Sequence, residues 1–321
     1  MHVPRLASRR LVPASAALGA LALLASCATQ GSAGAASASP PSGEASGPAS
    51  ATGTAFVLWS QPAEGRASSR WFDAAGREQG RADGVWIASA EQLFRISSRE
   101  RVAPGTPCDA GFEADERTRA WLVAEPAGGG AAVTLTQPTA METEPGSSQQ
   151  AAWLRGSIGS TLIFVDELSA YYCGAHGSTT ATFAAVDVAT GAPVMLAPPT
   201  EAARADGLRR GAAALRALSA ELDGEPDAIG AALPRFTADG VAARLQVIAD
   251  TCYACSVGDA GSYRAAAWVD APVGAVAWDD EAPALPAPLL AAIAELGDDA
   301  WYGVSWGRPG PAWDEALPPA P

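Results

Sequence analysis

From residue 55 onward the chain is built of short apolar runs separated by turn residues. Residues 55–59, 70–72, 85–88 and 92–96 read as strands, with Asp73-Ala-Ala-Gly76 and Asp83-Gly84 as turns between them. Residues 121–124, 133–136, 161–165, 182–188 and 194–196 continue the pattern, whereas 139–150 is polar, holds Pro145-Gly146 and reads as an exposed loop. A long helix is expected over 201–222, announced by Pro199-Thr200 and ended by Asp223-Gly224. Leu208, Leu215, Leu218 and Leu222 fall on one stripe at helical spacing, suited to packing on a sheet. Strands resume at 241–248, where Arg244 and Gln246 alternate with Leu245 and Val247, and at 263–269 and 276–278. A shorter helix over 287–296, a last strand over 301–306 and a loose tail over 310–321 complete the reading.

This pattern predicts an α+β fold: mainly antiparallel sheet, with the 201–222 helix and a shorter C-terminal helix packed on it. The repeated short strands also admit a β-propeller-like all-β alternative, against which the long helix argues. The 267 positions after residue 54 suffice for a substantial hydrophobic core. They divide into a β-rich region over 55–155 and an α+β region over 156–309.

Before residue 55 the composition changes twice. Arg5, Arg9 and Arg10 precede an apolar stretch over 11–24 that is short for a membrane span. The stretch ends in Leu24-Ala25-Ser26-Cys27, which resembles the bacterial lipobox: a branched apolar residue, two small residues, then Cys. The resemblance implies that 1–26 is a signal peptide and that Cys27 becomes the lipid-bearing N-terminus, carrying diacylglycerol and a palmitate-type N-acyl chain. Lipid chains contribute about 0.8 kcal/mol per buried CH₂, so two or more give stable attachment. Residues 28–54 are almost only Ala, Gly, Ser, Pro and Thr and read as a disordered tether with a reach of roughly 30 Å. The expected location is the cell envelope, on the outer face of the cytoplasmic membrane or in the outer membrane.

Charge narrows the range of partners. The chain carries a formal net charge of −14, and loss of Arg5, Arg9 and Arg10 leaves 18 basic against 35 acidic residues. So acidic a surface repels phosphate backbones, and no nucleic-acid partner is expected.

Apart from Cys27 there are four cysteines: Cys108, Cys173, Cys252 and Cys255. In an exported chain an even number is first read as disulfides, here Cys108–Cys173 and Cys252–Cys255, although Cys173 could also meet the 252/255 loop. An alternative is a structural zinc site. Cys173-Gly-Ala-His176 and Cys252-Tyr-Ala-Cys255 together offer three sulfurs and one imidazole at suitable spacings. The exported compartment favours oxidation, so no cofactor is expected. His176 is the one histidine after the signal segment, flanked by Gly174 and Gly177, and reads as holding a tight turn. No G-x-S-x-G, H-E-x-x-H, P-loop or G-x-G-x-x-G pattern occurs.

A further stretch carries a resemblance. Tyr171-Tyr172-Cys173-Gly174-Ala175-His176-Gly177, then Phe183, Asp187-Val-Ala-Thr190-Gly191 and Val194-Met-Leu196 precede the long helix, and Phe236-Thr-Ala-Asp239-Gly240 leads into a later strand. Over roughly 160–280 this resembles the extracellular domain shared by lysozyme-sensing anti-sigma factors and some peptidoglycan deacetylases. The resemblance implies an α+β domain whose His-containing segment is a β-hairpin, without catalysis and with a protein ligand in some members. Cys173 stands where that family often has Gly.

Three expectations follow. The first is a non-catalytic binding or scaffolding lipoprotein. The second is a cell-wall glycan binder using Trp268, Trp278, Trp301 and Trp306, although strand positions favour their burial in the core. The third is a glycoside hydrolase using paired carboxylates from Asp166 and Glu167, or from Asp279, Asp280 and Glu281.

Overall fold

The computed structural model describes residues 53–316, apart from 64, 109–115, 141–144, 174–176, 219–224, 253–255 and 279–281. Its elements run β1 (Ala55–Gln61), β2 (Ser68–Phe72), β3 (Glu78–Asp83), β4 (Val85–Ser89), β5 (Gln92–Pro104), β6 (Glu116–Pro126), β7 (Val133–Thr134), β8 (Ser147–Ile158), β9 (Thr161–Tyr171) and β10 (Ser178–Asp187). Then come α1 (Glu201–Leu218), β11 (Ala228–Thr237), β12 (Gly240–Asp250), β13 (Arg264–Ala271), α2 (Ala287–Ala294), β14 (Trp301–Gly307) and α3 (Pro311–Ala316). The fold is mostly β with a minority of helix, in keeping with an α+β class.

Eleven strands form one sheet with the path β3-β2-β1-β14-β8-β6-β5-β4; β9 and β10 extend it from β8, and β7 pairs with β6. The C-terminal strand β14 lies between β1 and β8, antiparallel to the first and parallel to the second. β8 itself runs through position 155, so the regions expected as 55–155 and 156–309 share one sheet. The sheet curls around Trp59, Ile87, Phe94, Leu122, Ala124, Leu162, Phe164 and Val188. The free edge of β4 is met by serines instead of a strand. Ser69 Oγ accepts from Trp86 N and donates to Gly84 O, each at 2.9 Å, and Ser305 Oγ accepts from Ala88 N at 2.9 Å. Both serines are fully buried, and their hydroxyls supply the partners that a bare edge would lack.

The second sheet, β11-β12-β13, packs one face on β9 and β10 and the other on α1. Thr200 caps α1 by accepting from Ala203 N at 3.3 Å. The buried stripe of α1 is Ala203, Gly207, Gly211, Ala212 and Leu215. This revises the expected leucine stripe: Leu215 is buried, Leu208 is half-buried, Leu218 is exposed and Leu222 lies outside the described residues. A Cβ at Gly211 would overlap the Val247 side chain, so glycine lets the helix axis approach the sheet.

Four expected elements differ. Residues 194–196 and 276–278 are not strands; the first is tied to β10 by Val194 N donating to Ala185 O at 2.9 Å and by apolar packing on Phe183 and Ala185. The 139–150 stretch is not wholly exposed, since β8 begins at Ser147 and Gln150 is buried. The tail is not loose at its start: α3 places Trp313, fully buried, against Ala55, Val57, Ala88 and Leu93.

Candidate functional site

The cysteines settle first. Cys108 and Cys173 are joined, with Cα atoms 5.2 Å apart, linking the β5–β6 connection to the β9–β10 connection. Cys252 is also disulfide-bonded. Of the alternative zinc set of Cys173, His176, Cys252 and Cys255, Cys173 and Cys252 are disulfide-bonded, and a disulfide sulfur is not a thiolate ligand. Among the described residues no group of three or more His, Cys, Asp or Glu side chains could hold a metal ion. Cys173 has φ +59°, the left-handed region that glycine adopts most cheaply. Cys27, Gly174, His176 and Cys255 lie outside the described residues; Gly177 is buried at the entry to β10.

The four late tryptophans are half-buried and packed. Trp268 meets Phe183 and Trp301 edge-on, each at 5.7 Å between ring centroids, while Trp278 and Trp306 join apolar clusters. The Arg155 guanidinium lies 4.6 Å from the Trp301 ring centroid and that of Arg244 lies 5.9 Å from Trp268. This chain of rings joins the large sheet to the small one. An apolar groove of about 430 Å³ opens beside it between β10, the 193–199 segment and β11.

Where the small sheet ends, the outer face of β8 and β9 comes into the open. Trp153 on β8 stands opposite Val165 on β9, and Ala151 opposite Glu167. Successive strand residues alternate faces, so Trp153, Ala151, Val165 and Glu167 share the outward one. Val165 is fully buried, but Trp153 is 46 % exposed and joins none of the apolar clusters. Beyond them, Ser169 Oγ and Thr179 Oγ1 lie 2.9 Å apart.

The segment 256–263 forms the wall of this corner. Ser262 N donates to Thr179 O at 2.8 Å, Thr179 N donates back to Ser262 Oγ at 2.9 Å, and Gln246 Nε2 donates to Asp259 O at 3.1 Å. Gly261, at φ +82°, makes the approach feasible, because a Cβ there would lie 2.7 Å from Thr179 O. Asp259 Oδ2 accepts from Arg155 Nε at 2.8 Å, and Arg155 NH1 donates to Leu154 O at 3.1 Å. Arg155 is thus committed to Asp259, a carbonyl and the Trp301 ring. Glu167 receives no hydrogen bond among the described residues.

Burial first, and the nearby Asp259 charge second, push the Glu167 carboxyl above its ordinary value near 4.5; Arg155 opposes them. A raised folded-state value means that the folded protein keeps a proton the unfolded chain has released. The stability tied to Glu167 is therefore full at pH below 4.5 and is lost as pH rises through the folded-state value. Glu167→Gln is expected to gain stability relative to wild type between pH 4 and pH 7, read by urea denaturation at both. An unchanged difference between the two pH values would show that Glu167 is not perturbed by this setting.

The expected pair Asp166 and Glu167 does not form. The two lie on opposite faces of β9, and Asp166 accepts from Gln150 Nε2 at 3.0 and 3.1 Å beneath the sheet. Asp279, Asp280 and Glu281 lie outside the described residues. The Arg155–Glu167–Asp259 group had no sequence signal, since Arg155 and Asp259 are 104 positions apart. Comparison with protein-family models, curated proteins and solved structures finds no match to this chain.

Proposed function

We propose that this chain is a lipid-anchored envelope protein whose globular domain binds a ligand without chemistry of its own. The observation that carries the reading is Leu24-Ala25-Ser26-Cys27 at the end of a charged, then apolar, leader. The Ala/Gly/Ser/Pro tether that follows supports it by giving the domain freedom from the bilayer. Oxidised cysteines suit an exported protein. No helix among the described residues is long and apolar enough to cross a membrane, and attachment in this reading rests on the lipid.

Cys27→Ala tests it. The wild-type chain is expected in the detergent phase, with an intact mass that includes diacylglycerol and an acyl chain; the variant is expected to lack both additions. A wild-type chain of unmodified mass would refute the anchor.

A cell-wall glycan binder is the second reading, and half-exposed Trp153 on an open sheet face favours it over a protein ligand. Aromatic faces with a polar neighbour are the usual platform for stacking a sugar ring, whereas the four late tryptophans are taken up in packing.

A further inference from the structure

We infer that the corner between the two sheets, floored by Ala151 and Glu167 and walled by Trp153 and Asp259, binds one pyranose unit of a neutral glycan. This rests on the reading of the domain as a binding module and names its ligand class.

Two independent observations meet here. The first is a half-exposed indole. Trp153 is 46 % exposed and, among the described residues, makes no ring contact and belongs to no apolar cluster. Its row-mate Val165 is completely covered, so the ring stands at the rim of the packed zone. The second is a half-buried carboxylate without a donor. Glu167 accepts no hydrogen bond among the described residues, while the nearest cation, Arg155, is already held by Asp259, Leu154 O and Trp301. The carboxylate is only half-buried and still reached by solvent, so a ligand hydroxyl can take the place of water as its donor.

The register fixes the spacing. Glu167 is the diagonal neighbour of Trp153 across the β8–β9 pair, about 7–8 Å away between backbones. Alanines at 151 and 181 flank Glu167 on the adjacent strands and leave the floor low. A pyranose laid on the indole places its C–H face against the ring and its edge hydroxyls toward Glu167 and the free lone pairs of Asp259. Both groups are acceptors when ionised, and sugar hydroxyls are donors. The same carboxylates repel a carboxylated sugar, which gives selectivity by charge.

The other surfaces offer less. The groove beside Met195 is apolar without a polar group aimed into it, and the recess at Thr54, Glu91, Trp306 and Arg308 has its ring packed into the α2 cluster.

The test uses the mature chain from Ala28 onward, exported behind a cleavable signal, titrated with chitotetraose, cellotetraose and tetragalacturonate while Trp fluorescence and heat are followed. Chitotetraose binding alone identifies an acetamido sugar, as in cell-wall glycan; equal binding of cellotetraose identifies a general pyranose platform; both support the site. Trp153→Ala is expected to weaken binding about tenfold or more and to abolish the fluorescence change, as loss of a stacking partner worth about 1.4 kcal/mol implies. Glu167→Gln should weaken binding severalfold, and Met195→Ala should leave it unchanged. The proposal is overturned if no neutral tetrasaccharide binds, if the carboxylated one binds best, or if both corner variants bind like wild type. None of these outcomes touches the lipid mass of the wild-type chain, so the anchor and the site fail separately.

Discussion

Replacing both Cys108 and Cys173 by Ser is expected to cost about 4 kcal/mol of stability, the loop-closure value for a separation of 65 residues. The bridge acts chiefly on the unfolded chain, which without it explores far more conformations. In the folded state it joins two connections at the same end of the sheet, after β5 and after β9. Nearby, Gly146 N donates to Thr106 O at 2.8 Å, so that end is already tied by backbone and the folded geometry should survive reduction. Urea denaturation of the mature chain, with and without the double substitution, gives the difference directly. A second variant separates the cross-link from the backbone. Cys173 sits at φ +59°, so Cys108→Ser with Cys173→Gly should recover about 1 kcal/mol relative to the double serine, by relieving a left-handed non-glycine residue. A loss below about 1 kcal/mol for the double serine would mean that the unfolded chain is already compact around these segments.

Strands with apolar alternation and punctuating turns were legible: β1, β4, β9, β12 and β14 all begin or end close to Gly, Asp or Pro signals. Elements held by tertiary pairing were not. β3 reads Glu-Gln-Gly-Arg-Ala-Asp, with no apolar period, and is a strand because β2 pairs with it and Arg70 donates to Glu78. β8 starts in a polar stretch where Gln150 is buried only because its amide has partners at every turn. It accepts from Thr139 N at 2.7 Å and donates to Asp166. Conversely, the apolar runs at 194–196 and 276–278 look like strands yet have no strand partner; Pro193, Pro198 and Pro199 around the first remove donors a ladder needs. The candidate corner was hidden for a different reason. Period-2 alternation says that Trp153 and Glu167 occupy faces, but which face is open depends on how far the small sheet extends across β9 and β10. That limit is set by the 256–263 segment, about a hundred residues away in sequence. The Cys108–Cys173 pairing, by contrast, was open to sequence reading because oxidation chemistry restricts four cysteines to three pairings.

Two tryptophans with equal burial should respond differently to the same substitution. Trp59 and Trp313 are both completely buried. Trp59 Nε1 donates to Ser157 Oγ at 2.8 Å, whereas Trp313 Nε1 has no hydrogen-bond partner among the described residues. Truncation to Ala removes the ring at either site and is expected to cost about 3–5 kcal/mol. For Trp313 that loss frees α3 from Ala55, Val57, Ala88 and Leu93, and for Trp59 it empties the centre of the curled sheet. Phe keeps much of the ring but has no N–H. At position 59 it leaves Ser157 Oγ without its buried donor and adds about 1–3 kcal/mol to the loss of volume. At position 313 it removes a donor that is buried unsatisfied, so the same magnitude enters with the opposite sign and offsets the smaller ring. Trp59→Phe should therefore be clearly destabilised and Trp313→Phe close to wild type, although the two Ala variants look alike. Urea midpoints of the four variants decide it. Equal penalties for both Phe variants would show that the Trp313 indole N–H is satisfied in solution, and that α3 is fixed by more than apolar contact.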